Sequence, residues 1–463
     1  MPPAAPRSFV RFLPVAMALF LIQLDFFALG LALPVIAVDL DTTTTDLQWV
    51  ISGYMLALGS FMIPASRIAD LVGRKKVLLT GVAVFGVSSL LCGLAQTPGE
   101  LIAVRVLQGL GGALIRPVAF SLVTNDTTEA ERPRTLGLLL GLANVGTAIG
   151  PIVGGGLAST LGWRWVFWVN VPLAVIAFFW GLRSLKESRE PGGRTLRELD
   201  WLGAGLVVAG VALASWGLDN LDTETIVAPT TGGALVVGLG LLAVFAWHET
   251  RHPWPLVSPA LMRRKSFVSL LAAGTVANIG YCMMMLVVTI QLQQVRGLSA
   301  AAAGALFAFP AIATAFSGPL SGRLAGRVPD GIVMGTAIVA GCLGLLLQSF
   351  SGSLALDVVG LMISALAFAM GYAYTNIASQ SVLPVELSGQ ASSVIITTIV
   401  TLGGIGVVVA ALGIELLGGT DLAQGTTNTL LVTGVLGLII GSVYLARQIA
   451  KNRVSPDTAG TST

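Results

Sequence analysis

Fourteen apolar stretches run through this chain of 463 residues, and nearly all of its positive charge sits in one alternate set of the connections between them. A hydrocarbon layer of about 30 Å takes roughly 20 apolar residues to cross as helix, and the stretches have about that length. They read as membrane spans at 12–37, 47–67, 77–95, 100–123, 135–160, 165–185, 201–219, 229–248, 266–289, 301–324, 331–350, 354–378, 390–417 and 428–447. Of the 26 Lys and Arg, all but Arg105, Arg116, Arg164 and Arg296 fall on one side of this map. Basic loops are retained in the cytoplasm, so both termini belong inside, which requires an even number of crossings. The count and the charge bias agree, and one missed or invented helix would scramble every later loop.

Inner-face topology also accounts for the net charge of +3, so nucleic-acid binding has no support. Cys92, Cys282 and Cys342 all fall in apolar spans, where a thiol acts as a small hydrophobe, and neither disulfides nor a zinc site are expected. The first span is too long for a signal peptide and carries Asp25, so it is expected to stay in the mature protein. The polar tail Val454–Thr463 is expected to be disordered.

The longest polar connections, 186–200 and 248–265, leave no room for a soluble catalytic domain, and function must lie among the helices. Ser66-Arg67-Ile68-Ala69-Asp70-Leu71 and Gly322-Arg323-Leu324-Ala325-Gly326-Arg327 are alike, and both stand where a span leaves the membrane on the basic side. The match maps the second span onto the tenth. It predicts an N-terminal six-helix bundle at 1–199, two inserted helices at 200–250, a C-terminal six-helix bundle at 251–450 and a cytoplasmic tail at 451–463. Repeated halves facing a midplane cavity are a recurrent transporter architecture.

A carboxylate inside an apolar span is costly, and such residues usually face a cavity or a partner and mark ion or proton paths. Asp25 is that residue here; its alternatives are a proton carrier or a structural ion pair. Arg105 and Arg116 lie eleven residues apart in the fourth span, on one helical face and about 16 Å apart along the axis. Arg105 can snorkel outward, whereas Arg116, beside Pro117, has a harder escape. The fifth span reads Gly137, Gly141, Gly146, Gly150-Pro151, Gly154-Gly155-Gly156, a flat strip for close helix contact with a bend point inside it. Asp70, Gly73 and Arg74 begin a tight connection that reads either as a topology anchor or as a charge-linked latch. Tyr54, Asn144, Asn278, Tyr281, Gln291, Tyr374, Asn376 and Gln380 are polar groups that either shape a binding site or merely bond between helices. No phosphate loop, His-Glu-x-x-His pair or Gly-x-Ser-x-Gly elbow occurs, so no ATP use, cofactor or enzymatic site is expected. His248 and His252 lie together at a cytoplasmic helix end.

These residues resemble the major facilitator superfamily, and within it the fourteen-helix drug:proton antiporters, over almost the whole chain. Leu24-Asp25-Phe26-Phe27 with Ala32-Leu33-Pro34 resembles the first-helix signature, and Ser66 through Lys76 the loop motif between helices two and three. Arg105 with Leu107-Gln108-Gly109 and Gly111 is similar to the fourth-helix motif, whose Arg the family implicates in proton coupling. Gly146, Gly150-Pro151 and Gly154-Gly155 resemble the antiporter motif of the fifth helix, and Trp163-Arg164-Trp165, Phe167 and Asn170-Val171-Pro172 complete the set. The chain departs from the pattern at Gly30, where Asn is usual, at Ser66 and Leu71, and at Arg116, where relatives are usually apolar.

The resemblance implies a proton-coupled efflux transporter that works by alternating access. Asp25 and Arg105 would couple protons, and Asp70, Gly73, Arg74 and the fifth-helix Gly150-Pro151 strip would govern the conformational change. Because Asp25 is the only clear acid deep in the spans and Arg105 and Arg116 outweigh it, the cavity is expected to favour neutral or anionic amphiphiles. The expected partners are protons, a small amphiphilic substrate and membrane lipid, for a monomer in the cell (plasma or inner) membrane. An importer and a non-transporting membrane sensor are the rival readings.

Overall fold

The computed structural model describes residues 9–42, 47–189, 196–219, 229–298, 300–350, 352–383, 387–419 and 421–454; Arg7, Arg194 and the tail from 455 onward lie outside them. The described residues form helices and turns, with no strand. Twelve helices among them are long and apolar enough to cross a membrane, and further apolar segments occupy Trp201–Gly217, Gly389–Gly403 and Val409–Gly418.

The helices are α1 (Leu13–Asp39), α2 (Gln48–Val72), α3 (Arg74–Cys92), α4 (Pro98–Asn125), α5 (Arg132–Thr160), α6 (Arg164–Trp168), α7 (Asn170–Ser184), α8 (Trp201–Asp219), α9 (Pro229–Glu249), α10 (Pro259–Arg263), α11 (Lys265–Ile290), α12 (Ala300–Ala315), α13 (Ser317–Leu324), α14 (Asp330–Phe350), α15 (Leu354–Val382), α16 (Ser388–Gly418) and α17 (Leu422–Val454). The last helix thus carries Lys451–Val454, which the sequence reading gave to the tail.

Two spans read as continuous are broken. The sixth is α6 and α7, parted at Val169, and the tenth is α12 and α13, parted at Phe316. In each the cause stands three residues downstream. Pro172 and Pro319 lack the N–H that would bond four residues back, and their rings crowd that carbonyl. Pro64, Pro117, Pro151 and Pro310 sit inside helices that run on without a break.

Association of helices in lipid rests on packing rather than on a hydrophobic drive. In the first half α1 packs on α5, and α4 on both α2 and α3; in the second, α14 packs on α15 and α17, and α11 on α15 and α16. The halves meet where α5 touches α12 and α13 and where α2 touches α16, and the α8–α9 hairpin leans on α2 and α16. Close approach at the α5 seam needs glycine. A Cβ on Gly318 would lie 2.5 Å from the carbonyl oxygen of Gly137, and one on Gly137 would lie 2.6 Å from that of Gly318.

Contacts between the halves gather at the end of the bundle that carries Asp70, Arg74 and Arg132, here termed the basic face. Arg132 Nη1 donates to the carbonyl of Gln380 at 2.9 Å, Thr124 Oγ1 to Gln380 Oε1 at 3.2 Å, and Thr397 Oγ1 to the carbonyl of Gly59 at 3.4 Å. Toward the opposite face the halves part around a cavity of about 290 Å³, lined by Phe27, Gly30, Thr147, Pro151, Tyr281 and Met285 among others.

Candidate functional site: a buried ion pair beside the inter-half cavity

Asp25 stands in the middle of α1, where the helix has used its backbone groups and the side chain must find partners of its own. It finds three of them on two other helices. Arg105 Nη1 of α4 donates to Oδ2 at 2.5 Å, Gln108 Nε2 to Oδ1 at 3.0 Å, and Asn170 Nδ2, at the start of α7, to Oδ1 at 2.8 Å. Asp25 is 1% and Arg105 0% exposed, so the pair is shut off from water in this form.

The surround is as specific as the pair. Gln108, one turn beyond Arg105, accepts from Arg105 Nη1 at 2.6 Å through Oε1 while its amide nitrogen also donates to Ser89 Oγ at 2.7 Å. Arg105 Nε donates to the carbonyl of Val50 at 3.0 Å. Its guanidinium lies 4.2 Å from the centroid of the Tyr54 ring, whose electron-rich face favours a cation. Arg105 Nη2 and the Tyr54 hydroxyl have no hydrogen-bond partner among the described residues. A buried pair built this way repays its desolvation only while both ions and their neutral partners are in place.

The glycine strip of α5 presses on the helix that carries the acid. A Cβ at Gly154 would fall 2.1 Å from the carbonyl oxygen of Ala28, one at Gly150 2.7 Å from Phe27 Cβ, and one at Gly146 2.7 Å from the carbonyl oxygen of Phe20. Pro151 turns the other way and lines the inter-half cavity, as do Gly30 and Tyr281. A side chain at Gly30 would meet open space, so the missing amide noted in the sequence leaves a gap in the cavity wall.

Arg116 is half-buried and donates through Nη2 to Gln23 Oε1, and Gln23 Nε2 donates to Thr147 Oγ1 at 2.9 Å. A chain of contacts therefore runs from Arg116 to the cavity lining. The other polar candidates lie elsewhere. Tyr54 is under Arg105; Asn144 Nδ2 reaches the carbonyl of Thr314 at 3.1 Å, binding α5 to α12; and Asn278 Nδ2 reaches the carbonyl of Ile399 at 2.9 Å, binding α11 to α16. Gln291 is buried and accepts through its carbonyl from the backbone of Arg296 at 3.0 Å, where the end of α11 widens. Tyr374 donates its hydroxyl to Asp330 Oδ1 at 2.7 Å; Asn376 is buried and donates to the carbonyl of Tyr372 at 2.9 Å; and Gln380 belongs to the closed basic face.

The turn between α2 and α3 joins the three expected residues. Asp70 Oδ1 accepts from Arg74 Nη2 at 2.6 Å, and Oδ2 lies 3.8 Å from Arg67 Nη1. Gly73 has φ of +125°, a conformation that L side chains rarely adopt. The N-terminus of α16 reaches across to this turn, for a Cβ at Gly389 would lie 3.2 Å from Asp70 Oδ1. A carboxylate beside a helix N-terminus is stabilised by the unpaired amides there. One contact escaped the sequence reading. Glu187, in the connection after α7, accepts from the backbone amides of Lys75 at 3.0 Å and Lys76 at 3.3 Å, and the carbonyl of Ser188 accepts from the backbone amide of Arg74 at 2.9 Å. It caps α3, which has no side chain of its own to do so.

On the opposite face each of the two stray cations meets an acid. Arg296 pairs with Asp357, and Arg164 Nη1 donates to Asp39 Oδ2 at 2.7 Å. Trp163 Nε1 also donates to Asp39 Oδ2, at 2.9 Å. The Trp163 and then the Arg164 hydrogen bond hold the Asp39 carboxyl below the usual carboxylate range.

The arrangement has recognisable relatives. A family model described as the Major Facilitator Superfamily matches residues 15–408. The multidrug resistance protein Stp of Mycobacterium tuberculosis is 31% identical over 390 residues, which cover 82% of this chain and 70% of that protein. The tetracenomycin C resistance and export protein of Streptomyces glaucescens is 32% identical over 351 residues, covering 73% and 63%. The cephamycin export protein CmcT of Amycolatopsis lactamdurans is 34% identical over 296 residues, covering 62% and 59%. Among solved structures, the human organic anion transporter MFSD10 (TETRAN) superposes with a TM-score of 0.66 at 14% identity, over 94% of this chain and 100% of that one, a likeness of fold. With a family model spanning most of its length and exporters among its relatives, this membrane-embedded chain is a transporter and not an enzyme, and it belongs to the Major Facilitator Superfamily.

Proposed function

We propose that this protein exports amphiphilic compounds in exchange for protons by alternating access, with Asp25 as the proton carrier. The observation that carries the reading is the Asp25–Arg105 pair, fully buried yet one turn from Phe27 and Gly30 in the cavity wall. Protonation removes the attraction that ties α1 to α4. Arg105 then keeps the Val50 carbonyl and Gln108 Oε1, and α1 is free to shift along the glycine strip of α5.

In this reading the basic face is cytoplasmic, the chain spans the cell membrane fourteen times with both termini inside, and residues 1–199 and 251–450 rock about the cavity with 200–250 inserted between them. The present form, sealed at the basic face and hollow toward the other, is then the outward-facing one with Asp25 ionised. No cofactor takes part, since the proton gradient supplies the energy, and a monomer suffices. The names of the exporting relatives support a drug or antibiotic-like cargo. Arg116, tied through Gln23 to Thr147, favours neutral or anionic cargo over cations.

Purified protein in liposomes with an imposed pH gradient tests the scheme. The wild type concentrates a neutral fluorescent amphiphile against its gradient; Asp25→Asn binds it but only equilibrates it. Undiminished uphill transport by Asp25→Asn would place the proton site elsewhere. A companion assay with dicationic cargo should show poor export that improves in Arg116→Ala.

A further inference from the structure

A larger cavity than the one between the halves, about 590 Å³, lies at the side of the bundle, between the α8–α9 hairpin and helices α2 and α16. Its wall is mostly apolar, with Ile63, Val207, Val211, Leu242 and Phe245 along its length and Thr397, Thr398 and Thr401 of α16 beside them. The exposed residues Ala246, Thr250, Met262 and Arg263 border it toward the basic face, so it opens at the edge of the bundle where α9 ends.

One wall residue does not fit an apolar cavity. Glu249, the last residue of α9, is 5% exposed and lines it. Its Oε2 accepts from the Val257 amide at 2.8 Å, but Oε1 has no hydrogen-bond partner among the described residues. The neighbouring groups that could neutralise it are taken. His248 Nε2 lies 2.9 Å from Asp200 Oδ2 and His252 Nδ1 4.0 Å from the same oxygen, so both histidines of the chain turn to Asp200. Asp200 Oδ1 in turn accepts from the Gly203 amide at 2.8 Å. Arg263 stands at the mouth with its charge in solvent, where water and salt screen it. A second unpartnered polar atom, Thr401 Oγ1 of α16, belongs to a residue that lines the same cavity.

A buried carboxylate oxygen without a donor is costly, and a ligand that enters this cavity can supply one. We propose that this lateral cavity is a binding site, separate from the inter-half cavity, for amphiphiles that carry an ammonium group. The ammonium donates to Glu249 Oε1, the Thr401 hydroxyl offers a further polar contact, and the apolar body lies along Val207, Val211 and Phe245. The site selects the opposite charge from the one assigned to the inter-half cavity. It is also open at the edge of the bundle, so a ligand held in the membrane can enter without passing between the halves.

The probe is monodansylcadaverine, a primary ammonium on an apolar fluorophore, compared with its N-acetylated and hence uncharged form. Both are titrated onto full-length protein in lipid nanodiscs, with empty nanodiscs subtracted. The wild type should bind the amine about tenfold or more tightly than the acetylated form, the size of a charge-assisted hydrogen bond. Glu249→Gln, which keeps an acceptor for Val257, should remove that preference, and Val211→Trp, which fills the cavity, should abolish binding of both. Equal binding of the two forms by the wild type, or an undiminished preference in Glu249→Gln, overturns the proposal. The first comparison needs no variant, so a poorly folding mutant does not spoil the test. Asp25→Asn should bind the amine as the wild type does, which keeps this result independent of the proton-coupling scheme.

Discussion

Between Leu13 and Ser184 the helices enclose an ion pair with a complete polar surround, whereas between Lys265 and Val454 every described Asp, Glu, Lys and Arg stands within about two turns of a helix end or beyond it. The second half does bury polar groups, but the ones deep in its helices are neutral, and several donate to backbone carbonyls. Gln348 Nε2 donates to the carbonyl of Gly344 at 3.1 Å, Ser364 Oγ to that of Gly341 at 2.9 Å, and Thr375 Oγ1 to that of Gly371 at 2.8 Å. Among the described residues, the first half therefore has a buried ion pair in its interior, and the second has none. In the proton-coupled reading proposed above, motion would start in the first half and reach the second through the α5 seam, where α5 touches α12 and α13.

The contrast is most directly broken by stranding an ion. Asp25→Leu leaves Arg105 buried without its counter-ion and should cost about 3–5 kcal/mol, seen as a large fall in thermal unfolding temperature in detergent. Asp25→Leu with Arg105→Leu should recover most of that loss while transport stays absent. Gln348→Leu in the second half should cost about 1 kcal/mol, and an equal cost for Asp25→Leu would erase the distinction. Next in size is the strip that carries α1. Gly154→Ala drives a methyl into the Ala28 carbonyl and should destabilise by about 1–3 kcal/mol, whereas Gly156→Ala, which meets nothing within 4 Å, should be close to neutral by the same melting assay.

Smaller still is Gly30→Asn. The side chain enters open cavity, so stability should change by less than about 0.5 kcal/mol while the ranking of exported compounds shifts toward those with hydrogen-bonding groups, read in a chemical sensitivity panel. The smallest effect concerns Asp39. Its folded pKa is depressed, so its contribution is complete above the ordinary carboxylate value of 3.8 and fades as pH falls below it. Melting curves of wild type and Asp39→Asn should converge only in that acidic window, and convergence already at pH 5 would contradict the pairing.

Much of this was legible in the sequence because lipid punishes charge. Asp25 and Arg105 are ions in apolar spans, and each demands a partner, so the pair follows from the sequence even though 80 residues separate them. The glycine strip announced close packing, but its partner helix was invisible, since spacing gives the face of a helix and not what lies opposite. The same gap left Tyr54 and Tyr374 open between a cavity role and a bond between helices. An aromatic with a hydroxyl reads as a cavity group until the neighbouring helices show one ring beneath Arg105 and the other bonded to Asp330. Glu187 and Glu249 gave no signal because an acid near a span end looks like any solvated loop residue. The breaks at Val169 and Phe316 were legible in principle from Pro172 and Pro319, yet Pro64, Pro117, Pro151 and Pro310 lie in unbroken helices, so proline alone does not decide.

The clamp of Glu187 and Ser188 on the 74–76 turn has a mechanical consequence. The strand of chain leaving α7 is fastened back to its own half before it travels to α8. A pull or slackening that arises in the inserted hairpin is grounded at that fastening, and Asn170, only one helix away, keeps its hold on Asp25. The insertion can thus take on duties of its own, or tolerate change, without disturbing the buried ion pair that it accompanies.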